Sequence, residues 1–155
     1  MDSLSLVRPA HQVRLCIPTS QPTEFVDVTA SLARAVEDSG IHTGVLSVQT
    51  GHTTTAMLVN EAEALLQEDF HALLARLAPL GVAYRHDDLA RRHGIPADEP
   101  RNGHAHCRAL LLPASVCLNI VDGRLALGRW QRVFLVEFDG PRTRTITAVA
   151  LGAAR

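Results

Sequence analysis

The second half of the chain alternates apolar and polar residues, and this pattern constrains its fold more than any other feature. Val116, Leu118 and Ile120 share one face of a predicted strand, because residues two apart in a strand point the same way. The strand stops at Asp122–Gly123, a sequence favoured in tight hairpin turns. Two further strands are predicted, over 130–138 and 143–149.

Two stretches of the first half repeat apolar residues at helical spacing instead. The first, Val28, Leu32, Ala35 and Val36, lies between a capping residue, Asp27, and a stop signal, Gly40. The second is the strongest helical stripe in the chain and consists of Leu66, Phe70, Leu73, Leu74 and Leu77, halted by Pro79. Strands are predicted over 14–18, 42–50 and 55–60. Two helices among a majority of strands favour an α+β fold over a wound parallel sheet.

Length and composition fit one domain over 1–155 and exclude several classes of partner. The 155 residues are 46% hydrophobic and carry a net charge of −1, which gives no reason to expect nucleic acid or an anionic membrane. No apolar run approaches the roughly 20 residues that span a bilayer, and we expect no signal peptide. The three cysteines form no CxxC pair, so buried free thiols in a cytoplasmic protein are expected.

Four histidines stand in motif-like surroundings and suggest one polar site: His52, His86, His104 and His106. On the predicted strand, His104 and His106 project side by side, with backbones about 7 Å apart. Two such imidazoles form half of a metal site, and His52, His86, Asp87, Asp88 or Glu61 could complete it. The alternative is that His-Ala-His is a solvated edge strand.

Further side chains extend the predicted site toward an anionic ligand. Hydroxyls and backbone N–H groups at the Thr53–Thr55 turn can hold phosphate or carboxylate, although a threonine-rich strand start is an equal alternative. Asn60 and Glu61 either orient His52 or cap the next helix. The candidates for catalysis are His52, Glu61, Asp88 and Arg108, and those for substrate binding are Thr53, Thr54, Thr55, Asn60, Asn102 and Arg142.

A polar stretch over 82–103 has no clear periodicity. A stretch of roughly twenty residues without periodicity is unusual inside a compact domain. We expect it to be functional, disordered or part of a subunit interface. The stretch contains His86 and Asp88, which links it to the predicted site.

Several ordered motifs together resemble the YjbQ-like family, whose members are described as secondary thiamine-phosphate synthase-like proteins. The motifs lie at 51–56, 60–61, 102–108, 122–125, 127–131 and 137–142, within a resemblance that runs from about Arg14 to Val149. The resemblance implies a two-sheet β-sandwich with two main helices that assembles as a homotrimer around a threefold axis. It also implies that His52, His104 and His106 line a metal-binding site near subunit boundaries.

Three functions are compatible with these residues. The first, implied by the resemblance, is a thiamine-phosphate synthase that joins hydroxymethylpyrimidine diphosphate to thiazole phosphate. The second is a metal-dependent hydrolase of a small anionic metabolite, with Asp88 or Glu61 as the base. The third is a non-catalytic trimer that binds a small molecule or metal. The expected cofactor is a divalent metal: zinc, manganese or magnesium.

Overall fold

The computed structural model describes residues 11–154, and the predicted domain extends beyond this range at both ends. Within it there are eight strands and three α-helices. The strands are β1 (His11–Pro18), β2 (Glu24–Asp27), β3 (Thr43–Thr50), β4 (Thr55–Glu61), β5 (Ser115–Val121), β6 (Arg124–Leu125), β7 (Gln131–Glu137) and β8 (Thr143–Ala153). The helices are α1 (Thr29–Ser39), α2 (Ala64–Leu77) and α3 (Gly103–Ala109).

The strands form two antiparallel sheets. The larger has the order β1-β8-β3-β5-β6, and the smaller has the order β2-β7-β4. In the larger sheet Leu46 of β3 lies opposite Ala150 of β8 and Leu118 of β5. The smaller sheet pairs β7 with β4 over the full length of both strands. The α+β fold with two sheets is therefore confirmed.

The two faces of β7 explain why its sequence is continuously apolar. Val133 and Leu135 pack into one buried cluster, together with Leu46, Ile146 and other residues of the larger sheet. Phe134 and Val136 face the opposite way, into a second cluster that also contains Leu74 of α2 and Ala105 of α3. The smaller sheet is thus the middle layer, between the larger sheet and helices α2 and α3.

The predicted stop of α1 and the predicted hairpin turn are confirmed, but the predicted cap is displaced by one residue. The N-cap of α1 is Val28, which has no side-chain cap hydrogen bond, and Asp27 before it accepts from the Thr29 backbone N–H at 2.9 Å. Gly40 ends α1 with a φ of 64°. Asp122 and Gly123 have φ values of 52° and 75°, as the turn between β5 and β6 requires.

Three predictions of local structure are wrong. The region of His104 and His106 is helical, so the chain has a third short helix in addition to the two main ones. Cys16, Cys107 and Cys117 are free but exposed, whereas the sequence suggested buried thiols. Neither Asn60 nor Glu61 caps α2, because Glu63 accepts hydrogen bonds from the N–H groups of Leu65 and Leu66.

Between residues 11 and 154, no helix combines the length and the hydropathy that crossing a bilayer requires.

Candidate functional site

A polar cavity of about 310 Å³ lies where four parts of the chain meet. These parts are the loop after β3, the long connection from α2 to α3, helix α3 itself and the turn from β7 into β8. We call it the arginine cavity. It is lined by Thr53, Thr54, His86, Arg92, Glu99, Pro100, Asn102, His106, Asp139, Arg142 and Arg144.

A buried ion pair forms one wall of the arginine cavity. Glu137 is fully buried, and its carboxylate accepts from Nε and Nη2 of Arg144, whose side chain is also buried. Burial raises the pKa of Glu137, but the hydrogen bonds and charge of Arg144 outweigh this and hold the pKa below its usual 4.5. Arg144 Nη2 also donates to the Thr54 hydroxyl at 3.0 Å. The pair therefore fixes both Arg144 and Thr54 at the cavity.

A second carboxylate links two further cavity residues. Asp139 Oδ2 accepts from Arg142 Nη2 at 2.8 Å and from Asn102 Nδ2 at 2.9 Å. Arg142 also donates from Nε to the Asp139 carbonyl at 2.8 Å. Asp139 is itself held in place, because its backbone N–H donates to Glu137 Oε1 at 2.8 Å. The buried pair and the exposed turn thus form one connected network.

The opposite wall contains an arginine between an acid and two histidines. Arg92 Nη2 lies 2.7 Å from Glu99 Oε1, and Arg92 Nη1 lies 3.4 Å from His86 Nε2. The rings of His86 and His106 meet edge to face, with centroids 4.5 Å apart. Burial, together with the nearby His86, lowers the pKa of His106 below its usual 6.5. His106 is therefore neutral near pH 7.

His104 and His106 do not point the same way, contrary to the prediction from a strand. Both lie on α3, where residues two apart project to nearly opposite sides of the helix. His106 contacts His86, whereas the His104 ring lies 6.5 Å from that of Tyr84. Burial and the charge of Arg108 lower the pKa of His104 below its usual 6.5.

The predicted third ligand, His52, is engaged with the backbone of β8. Its Nε2 accepts a hydrogen bond from the Thr145 N–H at 2.9 Å, so this nitrogen has no free lone pair for a metal. Burial and the charge of Arg144 lower the pKa of His52 below its usual 6.5. Between residues 11 and 154, no group of three or more His, Cys, Asp or Glu side chains is arranged to hold a metal ion. The described residues of one chain therefore do not fit the predicted metal site.

Four other predicted site residues lie away from the arginine cavity. Arg108 is buried and donates to the Ala78 carbonyl and the Thr23 hydroxyl, so it does not clamp an anion there. Asp88 faces Arg91 at 4.0 Å, in a half-exposed ion pair. Asn60 and Glu61 lie at the far end of β4 from Thr55, about 20 Å along the strand. Asn60 accepts from the Glu61 N–H, and it lines a small apolar groove with Phe25, Leu58, Phe70, Leu73, Leu74 and Leu112.

Of the predicted substrate-binding residues, Thr53, Thr54, Asn102 and Arg142 line the cavity. Thr55 lies just behind it, with its hydroxyl bonded to that of Thr50 and to the His52 carbonyl.

Sequence reasoning missed Arg92, Glu99, Arg144 and the carboxylate network behind them. A signal for Arg144 was present, because it shares the buried face of β8 with Ile146, Ala148 and Ala150. A charged side chain on the buried face of a strand needs a partner of opposite charge. Glu137 lies at the end of a buried run on β7 and could supply it. These two residues could have been matched on that basis. Arg92 and Glu99 lie seven residues apart in an irregular segment and gave no comparable signal.

The architecture and the cavity define a two-sheet α+β protein with a polar, arginine-lined pocket beside its middle sheet. The family model described as UPF0047 protein YjbQ-like matches residues 13–153. The chain belongs to this YjbQ-like family.

Relatives match it over nearly their whole length. A UPF0047 protein from Archaeoglobus fulgidus is 40% identical over 139 residues, which are 90% of this chain and 100% of that protein. The UPF0047 protein YugU from Bacillus subtilis is 29% identical, with 89% of this chain and 97% of that protein covered. The crystal structure of a YbjQ-like protein of unknown function from Sulfolobus solfataricus has a TM-score of 0.83 and 32% identity, covering 94% of this chain and 99% of that one.

Proposed function

We propose that the chain binds a phosphorylated small metabolite in the arginine cavity. The observation that carries this proposal is the set of free N–H donors around one pocket. Arg142 and Arg144 use Nε and Nη2 in the contacts described above, which leaves Nη1 of each without a partner among residues 11–154. The Thr53 and Thr54 hydroxyls lie beside them. Guanidinium groups held in fixed positions bind phosphate oxygens well.

Within this proposal, the reaction is that of a thiamine-phosphate synthase, as the family resemblance implies. The thiazole nitrogen attacks the methylene carbon of the pyrimidine diphosphate, and its lone pair forms the new carbon–nitrogen bond. The carbon–oxygen bond breaks, and pyrophosphate leaves with that electron pair. Negative charge grows on the leaving oxygens, and the fixed N–H groups of Arg142 and Arg144 stabilise it.

Substitution of Arg142 tests the binding step. Arg142 is partly exposed, so R142M is expected to fold, and loss of a charged hydrogen bond weakens binding roughly tenfold to hundredfold. The matched control is R91M, because Arg91 is 77% exposed and lies outside the cavity. Calorimetric titration with inorganic pyrophosphate gives the affinities. Equal affinity in wild type and R142M, or no binding by either, would contradict the proposed site.

Product analysis separates the possible reactions. The wild-type chain is incubated with hydroxymethylpyrimidine diphosphate and thiazole phosphate, with and without zinc, manganese or magnesium. Thiamine phosphate in wild type but not in R142M supports the synthase. Release of inorganic phosphate instead supports hydrolysis, and pyrophosphate binding without either product leaves a binding protein.

The predicted metal site requires ligands from more than one subunit, because within one chain the side chains of residues 11–154 are not arranged for it. Elemental analysis of the purified protein tests this idea. One equivalent of zinc or manganese for each chain, lost in H104N, is the expected result if such a site forms.

We also propose that the chain forms the homotrimer implied by the resemblance. The outer face of the larger sheet supports this proposal, because it exposes an apolar side chain. Leu151 of β8, which pairs with Val45 of β3, is 43% exposed there. Light scattering is expected to give three times the chain mass of 16.8 kDa. L151E should reduce the assembly to single chains, whereas L65E, on the exposed side of α2, should not. A wild-type mass of 16.8 kDa is incompatible with the trimer.

The cytoplasmic location expected from the sequence is also a proposal. Cell fractionation of the producing organism, followed by detection of the chain in the cytoplasmic fraction, tests it.

A further inference from the structure

Asn102 has an orientation that its neighbour imposes. The residue is buried, with 6% of its surface exposed, and its Nδ2 donates to Asp139 Oδ2 at 2.9 Å. A carboxylate can only accept, so the amide cannot be turned round without placing oxygen against oxygen. The Asp139 carboxylate therefore fixes Asn102 Oδ1 as an acceptor at a known place.

That acceptor has no partner. Asn102 Oδ1 is buried and receives no hydrogen bond from the residues between 11 and 154. A buried acceptor left unsatisfied costs about 1–3 kcal/mol, so such atoms are kept where something else supplies the donor. Asn102 lines the arginine cavity, so a ligand group that displaces the neighbours covering Oδ1 can reach it from there.

Two carboxylates extend the acceptor side of the cavity. Asp139 uses Oδ2 for Arg142 and Asn102, and its Oδ1 takes part in neither contact. Glu99 uses Oε1 for Arg92. The cavity thus has donors from arginines and threonines, and acceptors on Asn102, Asp139 and Glu99. A plain anion would use only the donors.

We propose that Asn102, oriented by Asp139, is a specificity-determining residue that selects phosphorylated ligands carrying an N–H or O–H donor next to the phosphate. The inference rests on the proposed phosphate binding and adds the chemistry of the ligand's other end. The phosphate occupies the arginine side, and an amino or hydroxyl group donates to Asn102 Oδ1. Ligands without a donor leave that oxygen unsatisfied and bind more weakly.

Three probes test the inference on the full chain by calorimetric titration. They are inorganic phosphate, propyl phosphate and 2-aminoethyl phosphate, of which the last two have the same shape and differ in a methyl or an ammonium end. Wild type is expected to bind 2-aminoethyl phosphate about tenfold more tightly than propyl phosphate. N102L should remove most of this preference, because it removes the acceptor.

Two further variants complete the test. N60L makes the same substitution at the far end of β4, outside the arginine cavity, and should keep the wild-type preference. D139N keeps the size of the side chain but frees the Asn102 amide to turn, so this variant should also lose the preference. It replaces N102L in the test if N102L does not fold.

The outcomes separate the two proposals. If all three probes bind wild type equally, or if folded N102L keeps the tenfold preference, the inference is wrong while phosphate binding stands. If none of the probes binds, the proposed function is wrong and the inference fails with it.

Discussion

Replacing Glu137 by glutamine is the most informative single perturbation of this molecule. The fully buried carboxylate accepts five hydrogen bonds: from Arg144 Nε and Nη2, the Thr19 hydroxyl, and the backbone N–H groups of Phe138 and Asp139. In E137Q the new amide NH2 group faces hydrogen-bond donors, because every partner of Glu137 donates a hydrogen bond to it. An amide nitrogen cannot accept these bonds. The substitution also leaves the buried Arg144 guanidinium without its counter-charge.

The magnitude follows from burial. Removing one partner of a buried ion pair costs about 3–5 kcal/mol, because the remaining charge stays desolvated. A domain of this size has a total stability of about 5–15 kcal/mol, so the loss is a large part of it. At about 2–4 °C for each kcal/mol, the melting temperature should fall by about 6–20 °C.

Urea unfolding followed by far-UV circular dichroism measures the free energy of unfolding for wild type and E137Q. The control is D88N, which makes the same acid-to-amide change in an exposed pair and should stay within about 0.5 kcal/mol of wild type. A loss below about 1 kcal/mol in E137Q would refute the argument that this pair holds the cavity wall together. Ligand binding in the arginine cavity and the shape of the cavity should then be independent of Glu137.

Three further predictions concern acid stability and two glycines. The pKa of Glu137 lies below its usual 4.5, so its stabilisation is complete above about pH 4.5 and is lost as pH falls below it; unfolding of E137Q should show a weaker acid dependence. G103A places a Cβ 2.5 Å from Tyr84 Cβ, and overpacking of about 1–3 kcal/mol should exceed a helix-propensity gain of about 1 kcal/mol, giving a lower melting temperature. G44A places a Cβ against the Leu151 carbonyl and should destabilise by about 3 kcal/mol or more in urea unfolding. If either glycine variant is as stable as the wild type, the packing described around that glycine is wrong.

The regular elements were predictable because their patterns are local. Helix α2 has an apolar stripe over more than three turns and a proline just after its end, and β5 alternates up to its hairpin turn. Such signals need no knowledge of the rest of the chain. They were enough for the α+β class and for most element positions.

Helix α3 was missed because it has too little local information to be stable by itself. It has seven residues, fewer than an isolated helix needs in water. Its first N–H, on Gly103, donates to Asp87 Oδ1 at 2.8 Å from a segment sixteen positions earlier in the chain. The His-Ala-His sequence alone does not distinguish a strand from a short helix. Tertiary structure therefore decided that His104 and His106 face apart.

Periodicity and turn residues act over a few positions, so the sequence was enough to predict six of the eight described strands and the two long helices. It did not predict the short strands β2 and β6, nor which polar residues meet in the folded chain. Glu137, Arg144 and Thr54 come together because the small sheet pairs β4 with β7 and the turn after β7 leads into β8. Burial then makes the charges of Glu137 and Arg144 depend on each other, and this dependence cannot be predicted from the spacing of residues in the sequence.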